Sequence, residues 1–597
     1  MRGGVPCIAS AGEGEDCPAE PARETRGIGR HAPYRGGRSA RYMENDILRH
    51  CMTIFARRAA AALVILGTVG LLAPLARGAA LSLGGPAASS CGALARLSNR
   101  HLEISTARWE GAGLLPRAVT HAMPMLASIE LPANCLVRGV LNPRVGVDGV
   151  KYGLGFELRM PANWNGRFLF QGGGGLDGFV APAVGLIQPG SRPALARGFA
   201  VISSDGGHEG MSAAFAADQQ ARLDFAYAGL GPVAQLGKSL IRRYYGRPAR
   251  DAYFAGCSNG GREAMMVAQR YPTLFNGIVA GDPGFNLSRA AIAEMWNVKH
   301  LDAVAPQDPR GRPILSEALS PGDLQLVSRA VLKACDALDG LRDGMINNLT
   351  ACQKAFNPRV LLCRRGARGL CLSAAKVKVL EAIFGGPHDA TGHPLYASWP
   401  YDAGVGAPGW RIWKLGTSRT GVPNALDATL GVDAMRSYFM TPPDPRMTPQ
   451  TLDFNRALYL TRQTRAINDA TGTYFSTFVA HGGKLIIYQG LSDPVFSPDA
   501  IIGWYRELMR QYGRPQRFAR LFLVPGMNHC FGGPATDEFD PLRAIVRWSE
   551  GHKPPARMIA HGRAFPGETR PLCPYPKYAR YVTGNPKSAR SFACYRR

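Results

Sequence analysis

The segment Asp251–Gly261 reads DAYFAGCSNGG and carries the strongest indication of the fold class. Its apolar run Tyr253–Ala255 predicts a short buried strand, and the good helix formers of Glu263–Gln269 predict a helix. Between them Gly256–Gly260 reads G-x-S-x-G, whose glycines allow the sharp turn that joins a strand to a helix. We expect Ser258 at the tip of this turn, beside the N–H groups that open the helix. An ordinary strand–helix turn would look the same in these five residues, so other parts of the chain have to decide.

Buried-strand patterns recur on both sides of this stretch. Helical patterns at Phe225–Tyr244 and Ile501–Tyr512 alternate with them. The predicted strands are Phe168–Phe170, Ala200–Ile202, Lys484–Tyr488 and Leu521–Val524. This alternation predicts an α/β-hydrolase fold, in which a doubly wound, mostly parallel sheet is covered by helices on both faces.

The residue composition and the frequency of buried-strand runs change along the chain, and these changes indicate domain boundaries. Residues 81–150 show turns and short apolar runs, and begin the mature fold. Residues 288–475 carry many prolines and few buried-strand runs, which favours a large inserted domain. We therefore predict a core in two parts, residues 81–287 and 476–597, with an insertion between them.

The N-terminal region has the pattern of an export signal. Arg57 and Arg58 precede an apolar run and the small residues Gly78–Ala80, so we predict a signal peptide over residues 52–80. Glycines and a proline inside the run, and the lack of a charged stop after it, argue against a stable membrane anchor. Residues 1–51 are interpreted as a non-native upstream extension; Met52 is a natural start for the signal, with Met1 and Met43 as alternatives. The mature protein is expected to be secreted or periplasmic.

Cysteine usage agrees with export. Three of the 13 cysteines lie before residue 52, which leaves ten in the mature chain. An even number behind an export signal predicts disulfides, and the chain has no C-x-x-C pair to favour metal ligation. The ten are Cys91, Cys135, Cys257, Cys335, Cys352, Cys363, Cys371, Cys530, Cys573 and Cys594.

The formal net charge is +26. Arg residues are spread evenly and no Lys/Arg block or nucleic-acid motif is present, so we expect a generally basic surface and no nucleic-acid partner. The sequence makes no prediction of the oligomeric state.

Three residues have the order and placement of a hydrolase triad. Ser258, Asp493 and His529 each follow a predicted strand, in the order Ser, Asp, His that doubly wound hydrolases use. A serine hydroxyl needs a base to accept its proton and a carboxylate to orient that base. Either the Asp493 or the His529 loop could be an ordinary strand-end turn, since Asp and Gly favour turns. Three agreeing placements favour catalysis.

Two cysteines strengthen this interpretation. Cys257 and Cys530 are the immediate neighbours of Ser258 and His529. If serine and histidine lie within hydrogen-bonding reach, their neighbours come close enough for a disulfide, which needs Cα atoms about 5.5–6 Å apart. We therefore predict a Cys257–Cys530 bridge across the insertion.

The Gly172–Gly175 run after the Phe168–Phe170 strand suggests an oxyanion hole. Its donors would be the N–H of Asn259 and that of Gly173 or Gly174. A phosphate-binding loop is the rival interpretation, but the Lys and Ser/Thr of a P-loop are missing. His208 follows another strand without an evident partner and is interpreted as structural.

The loop Cys335–Met345 carries Asp336, Asp339 and Asp343 among glycines. Closely spaced carboxylates can bind Ca²⁺, although the spacing is not that of an EF-hand. From the residues alone, an exposed acidic turn is an equal alternative.

These motifs together resemble the tannase and feruloyl esterase family over about Cys91 to Cys594. The resemblance rests on Gly-Cys-Ser-x-Gly-Gly, the distant Gly-x-x-Asp-Pro, His-Cys followed by Gly-Gly-Pro, and Asp-x-x-Asp-Gly-x-x-Asp-Gly. It implies a serine-hydrolase core and a lid domain holding a structural Ca²⁺. The implied calcium ligands are Asp336, Asp339, Asp343 and the backbone carbonyls of Leu341 and Met345. The implied bridges are Cys257–Cys530, Cys335–Cys352, Cys363–Cys371, Cys91–Cys135 and Cys573–Cys594.

The resemblance also implies a substrate class, esters of aromatic acids. An aromatic cluster with one cation in the insertion would suit such an acid, although aromatic clusters are more often core than pocket. The candidate substrate-binding residues are Trp399, Trp410, Arg411, Trp413 and Phe496, with Tyr401 in the same cluster. Asn259 departs from relatives that have an acidic residue there.

We predict a secreted carboxylic ester hydrolase that cleaves small aromatic esters such as ferulates or gallates through an acyl-enzyme on Ser258. One alternative is a half-ester hydrolase of the terephthalate mono-ester type. The other, from a different class, is a catalytically silent, calcium-stabilised binding protein.

Overall fold

The computed structural model describes residues 88–364 and 370–596. These residues lie within a single compact unit. The upstream extension and the signal peptide predicted over residues 1–80 lie outside the described residues. No helix in the described ranges is long and apolar enough to cross a bilayer.

A sheet of nine strands runs through the described residues: β1 Leu102–Glu110, β4 Asn134–Val145, β5 Lys151–Pro161, β6 Arg167–Gln171, β7 Ala200–Ser204, β8 Asp251–Cys257, β9 Gly277–Gly281, β10 Lys484–Gly490 and β11 Ala519–Val524. Their order in the sheet is β1-β4-β5-β7-β6-β8-β9-β10-β11. Neighbours from β7 to β11 are parallel, whereas β1, β4 and β5 pair antiparallel and β5 joins β7 antiparallel. The fold is therefore α/β, with a parallel centre as predicted.

The parallel strands are apolar on both faces because helices cover both sides. Consecutive residues enter different apolar clusters: Phe254 packs on one face of the sheet and Tyr253 on the other. Ile487 and Tyr488 of β10 divide in the same way. This double burial explains why the central strands are readable as continuous apolar runs.

The antiparallel edge was not predicted. Residues 81–150 contain two long strands, β1 and β4, instead of only turns and short runs. β4 is buried over Asn134–Val137 and at Gly139, and is half-exposed or exposed from Val140 onward. Its pairing with β1 shifts register between Ile104 and Thr106. Strands in the antiparallel part of a sheet can bury one face only and carry polar residues on the other. Their hydrophobic pattern is therefore harder to recognise in the sequence.

The sheet is surrounded by helices. The α-helices are Ala88–Gly92, Arg117–Ala122, Gln219–Leu223, Leu230–Tyr245, Asn259–Arg270, Leu287–Asp302, Pro321–Cys335, Leu349–Ala355, Ala374–Gly385, Pro408–Lys414, Val432–Ala434, Ala457–Leu460, Arg462–Asn468, Ser476–Ala480, Pro498–Tyr512 and Pro541–Ser549. Single π-helical turns occur at Asp224–Ala228, Asp427–Gly431 and Met435–Phe439.

The described part of residues 288–475 contains helices and no named strand. Its apolar cluster includes Val331, Leu380 and Trp410, and it also takes in Val495 and Phe496 from the loop after β10. The insertion therefore packs directly on a loop of the core that carries a predicted catalytic residue.

Three two-stranded ribbons complete the fold. They pair β2 Gly113–Leu114 with β3 Glu130–Leu131, β12 Met558–Ala560 with β13 Arg570–Leu572, and β14 Tyr578–Tyr581 with β15 Phe592–Tyr595. Four of these short strands follow β11, so the Leu521–Val524 strand is the last of the main sheet but not of the chain.

Candidate active site

Ser258 lies on a strained turn between β8 and the helix Asn259–Arg270. Its φ of 65° and ψ of −124° are values that non-glycine residues rarely adopt. The turn is held by a hydrogen bond from the Ser258 N–H to the carbonyl of Gly281 at 3.0 Å. Glycine is required at Gly260, where an added Cβ would lie 2.7 Å from the Gly173 carbonyl oxygen. Backbone strain of this kind is maintained where the surrounding structure enforces it, often at functional sites.

Asp493 and His529 meet at the carboxyl edge of the sheet. His529 Nδ1 lies 2.9 Å from Asp493 Oδ2. The other oxygen of Asp493 accepts the backbone N–H groups of Val495 at 2.9 Å and Phe496 at 3.1 Å. These bonds fix the carboxylate and orient the imidazole. The second ring nitrogen, Nε2, is buried and has no hydrogen-bond partner among the described residues, so it is available to act as a base.

A disulfide joins the serine turn to the histidine loop. Cys257 and Cys530 are bridged, with their Cα atoms 6.0 Å apart. The other bridges are Cys91–Cys135, Cys335–Cys352, Cys363–Cys371 and Cys573–Cys594. These five pairs are those that the family resemblance implies. The bridge brings residues 273 positions apart in the chain into one site.

The glycine loop after β6 lies against the start of the Asn259 helix. The N–H of Gly173 is already bonded to Glu263 Oε2 at 3.0 Å. The N–H of Gly174 makes no hydrogen bond among the described residues, and an added Cβ at this glycine would meet nothing within 4 Å. Of the two glycines named from sequence, Gly174 is the one with a free donor. Asn259 is the first residue of its helix, where backbone N–H groups lack intrahelical acceptors.

A buried polar network that the sequence analysis missed supports this loop. Asn259 Nδ2 donates to Asp177 Oδ1 at 2.6 Å, and Arg262 Nε donates to Asn259 Oδ1 at 2.6 Å. Burial raises the pKa of Asp177 well above its usual range, and the nearby Glu263 carboxylate raises it further. Charged residues on the inner face of a helix were the only sequence signal for this network.

The aromatic candidates separate into two groups. The rings of Trp413 and Phe496 stand nearly perpendicular to the His529 ring, with centroids 5.3 and 5.2 Å away. Trp399 lies against the loop that follows β10 and carries Asp493, called the acid loop below. Its Nε1 donates to the Asp493 carbonyl at 3.0 Å. Trp410 is buried in the cluster of the insertion. Of these four aromatic residues, Trp413 and Phe496 are therefore the two whose rings contact His529 in the described part of the chain.

Arg411 and Tyr401 are also engaged within the insertion. The Arg411 guanidinium donates to the backbone carbonyls of Leu319 and Ser316. Tyr401 stacks on Phe384 with ring centroids 4.2 Å apart. Arg411 thus has a structural role in bracing the insertion, whatever it contributes to ligand binding.

A second set of missed residues surrounds Asp493. Gln489 Nε2 bridges Asp493 Oδ2 and Asp282 Oδ1, each at 3.0 Å. Asp402 of the insertion accepts hydrogen bonds from Ser492 Oγ and from the Gly526 N–H, both at 2.7 Å. Asp282 directly follows buried β9, so its position at the carboxyl edge of a parallel sheet was a usable signal.

The Asp336–Met345 loop of the insertion is held together by internal hydrogen bonds. Asp336 Oδ1 accepts the N–H groups of Asp343 and Gly344 at 3.1 and 3.0 Å. Burial raises the pKa of Asp339 to about 6, and the Asp343 charge adds to this rise. Asp343 is also paired with buried Arg570 at 2.7 Å. Among the described residues, the backbone carbonyls of Leu341 and Met345 accept no hydrogen bond, so they remain available as ligands.

His208 is buried and stacks on Phe215 with ring centroids 3.8 Å apart. Burial lowers its pKa to about 4, so it is neutral near pH 7. Nothing at this position requires more than the structural role expected from sequence.

Comparison with known proteins identifies the family. The family model described as tannase and feruloyl esterase matches residues 135–595. The chain is 40% identical to the mono(2-hydroxyethyl) terephthalate hydrolase of Piscinibacter sakaiensis, over 79% of this chain and 87% of the relative. It is 32% identical to an uncharacterized esterase of Xanthomonas campestris pv. campestris, over 88% and 94% of the two chains.

A crystal structure shows the same fold. Feruloyl esterase B from Aspergillus oryzae superposes with a TM-score of 0.71 at 23% identity, over 85% of this chain and all of that chain. The family match and the relatives' names together support carboxylic ester hydrolase activity. On the extent of the match, the chain belongs to the tannase and feruloyl esterase family.

Proposed function

We propose that this protein is a serine carboxylic ester hydrolase that cleaves esters of aromatic acids. One observation carries the proposal most directly. The turn bearing Ser258 is tied by the Cys257–Cys530 bridge to His529, whose Nδ1 is bonded to Asp493 and whose Nε2 has no partner among the described residues.

In the proposed reaction, Ser258 Oγ attacks the ester carbonyl while His529 Nε2 accepts its proton. Asp493 keeps the proton of Nδ1 in place and stabilises the imidazolium. The N–H groups of Asn259 and Gly174 stabilise the tetrahedral oxyanion. His529 then protonates the departing alcohol. In the second half of the reaction His529 accepts a proton from water, the water attacks the acyl-enzyme carbonyl, and the proton returns to Ser258 as the acid leaves.

The substrate assignment rests on two aromatic rings. Trp413 from the insertion and Phe496 from the core both stand edge-on to the histidine. An aromatic acyl group bound next to His529 would pack against rings supplied by both parts of the molecule. We therefore propose phenolic acid esters, such as ferulates or gallates, as substrates of a secreted or periplasmic enzyme.

The test compares methyl ferulate, methyl gallate and a terephthalate mono-ester with the parent enzyme and the Ser258→Ala variant. We expect turnover of at least one ester and a loss of about 10⁶-fold in kcat on removing the serine. A serine-directed fluorophosphonate should label the parent at Ser258. No turnover together with no labelling would overturn the assignment in favour of a silent binding protein.

A half-ester hydrolase is the second candidate, favoured by the 40% identity to the terephthalate half-ester enzyme. A free carboxylate on the substrate would need a cation, and Arg411 was the sequence candidate. Its guanidinium already serves two backbone carbonyls. The discriminating measurement is kcat/KM of Arg411→Ala on the mono-ester and on the matching neutral diester. A selective loss on the mono-ester would support this candidate, and an equal loss on both would assign Arg411 to lid packing.

We propose in addition that the loop from Asp336 to Met345 binds a structural Ca²⁺. Its three carboxylates and two free carbonyls are the hard oxygen donors that this ion prefers. The loop also contacts the C-terminal region, since Asp343 pairs with Arg570 of β13. A bound cation would neutralise the clustered carboxylates and brace the insertion against this ribbon.

Metal analysis should find about one Ca²⁺ per chain, and EGTA should lower Tm by several degrees. Asp339→Asn should reduce both the calcium content and the effect of EGTA. Asp389→Asn, at a half-buried aspartate of the insertion outside this loop, serves as the matched control. An EGTA-insensitive Tm in the parent would contradict calcium binding.

A further inference from the structure

Asp282 is a buried carboxyl group to which the proposed reaction assigns no role. It directly follows β9 and is completely inaccessible to solvent. Its φ of 36° places it in the left-handed region, which is unfavourable for a non-glycine residue. A strained backbone and a buried acid at one position need a compensating interaction.

The contacts of Asp282 reach each loop that carries the triad. Its Oδ1 accepts the Gly490 N–H at 2.7 Å and Gln489 Nε2 at 3.0 Å, both at the end of β10 before the acid loop. Its Oδ2 lies 3.7 Å from Cys257 Sγ, next to the serine turn.

The carboxyl group also lies next to the reacting pair. One oxygen of Asp282, one oxygen of Asp493 and one ring nitrogen of His529 all lie within 4.8 Å of one another. Two carboxylates at this distance inside a protein repel strongly when both are ionised. One of the two therefore holds a proton.

Charge and burial assign that proton to Asp282. Burial raises the pKa of Asp282 well above its usual range, and the Asp493 charge raises it further. Asp493 faces His529 Nδ1 with one oxygen and accepts two backbone N–H groups with the other, so donors already surround both of its oxygens. The other titratable group near Asp282 is the buried Tyr488 hydroxyl on β10, and the bridged Cys257 and Cys530 do not titrate.

We propose that Asp282 is a positioning residue, a neutral carboxylic acid that donates a hydrogen bond to the Asp493 carboxylate. In this role it fixes the rotamer of Asp493 and holds the acid loop against the Cys257–Cys530 bridge. The inference rests on the proposed function, since it assigns Asp282 a part in orienting the proposed base. Its test can nevertheless be read without any substrate.

The test uses Asp282→Asn and Asp282→Ala in the full disulfide-bonded protein. Asparagine is neutral, keeps a carbonyl acceptor and supplies an N–H donor toward Asp493. The NMR titration midpoint of the His529 ring should therefore differ from the parent by less than about 0.3 pH units, because no charge has been removed. The alanine variant loses the donor, and its kcat should fall about 10- to 100-fold with little change in KM, measured per labelled Ser258.

Two results would overturn the assignment. A fall of about one pH unit or more in the His529 midpoint of Asp282→Asn would show that the parent residue is a carboxylate. An alanine variant with parental kcat and only a lowered Tm would show a purely structural role. If the parent turns over no ester and is not labelled at Ser258, the proposed function fails, while the His529 titration still reads the protonation of Asp282.

Discussion

At the scale of single residues, backbone strain is concentrated around the proposed triad. Seven non-glycine residues in the described ranges have positive φ, and three of them are Ser258, Asp282 and Cys530. These three lie on different loops, and the contacts of Asp282 with the disulfide join them. The surrounding sheet and the bridge therefore maintain conformations that the isolated loops would not adopt.

Close packing at Gly260 leads to a residue-scale prediction. An added Cβ there would lie 2.7 Å from the Gly173 carbonyl oxygen, so Gly260→Ala should displace the loop that presents Gly174. We expect kcat to fall 10-fold or more, because an oxyanion donor moves away from its acceptor. Steady-state kinetics with active-site titration would measure this.

Gly503→Ala is the matched control for helix propensity. Gly503 also lies within a helix, Pro498–Tyr512, but its added Cβ would meet nothing within 4 Å. Alanine there should increase the unfolding free energy by about 0.5–1 kcal/mol and leave kcat unchanged. Parental kcat in Gly260→Ala would refute the role given to the glycine loop.

At the scale of elements, the site is assembled from loops that follow neighbouring parallel strands. Ser258 follows β8, Asp282 follows β9, and Asp493 follows β10. His529 follows β11 at the edge. Because parallel strands place their carboxyl ends at one edge of the sheet, four loops that are distant in the chain converge.

The Cys257–Cys530 bridge is the covalent link between two of these elements. Replacing both cysteines by alanine should lower the unfolding free energy by about 2–5 kcal/mol, since the bridge closes a long loop of the unfolded chain. The kcat should also fall, because the histidine loop is no longer tied to the serine turn. Denaturant titration and kinetics would measure both effects.

The matched control is the double alanine variant at Cys363 and Cys371. That bridge spans only 8 residues, so the chain-entropy argument gives a smaller loss of stability. It lies in the insertion, and kcat should stay at the parental value. Equal effects of the two double variants on kcat would contradict a specific role for the bridge at the site.

At the scale of the whole molecule, several buried carboxyl groups hold protons that the unfolded chain would release. Burial raises the pKa of Asp205 to about 7 and that of Asp469 to about 6. A folded-state pKa above the unfolded value gives stability that is complete at low pH and is lost as pH rises through the folded value. The opposite sign applies to Asp218, whose pKa is lowered by its bond to Arg144; that contribution is lost at acid pH.

We therefore expect the unfolding free energy to decrease between about pH 4 and pH 7, and Asp205→Asn to reduce this decrease. Asparagine can still accept the N–H groups of Gly155 and Gly207 that Asp205 Oδ1 accepts at 3.0 and 2.8 Å. Urea titrations of parent and variant at pH 5 and pH 8 give the comparison. An identical pH dependence in both proteins would show that Asp205 is ionised in the folded state.

Features that depend on local chemistry could be predicted from the order of the residues. The apolar runs around Tyr253 and Ile487 indicated strands buried on both faces, because such strands have no polar side to confuse the pattern. The glycine turn at Ser258 and the cysteines beside Ser258 and His529 indicated a nucleophile and a base held together. The match of the family model over residues 135–595 agrees with the family resemblance that these motifs carry.

Which residues share an environment depends on tertiary packing and could not be predicted. The antiparallel edge of β1 and β4 was hidden because edge strands mix polar and apolar residues. Burial of Asp177 and Asp282, and the separation of Trp413 from Trp410, follow from contacts between residues that are distant in the chain. Burial and charge proximity are properties of the packed chain, so the protonation of these acids cannot be read from the order of its residues.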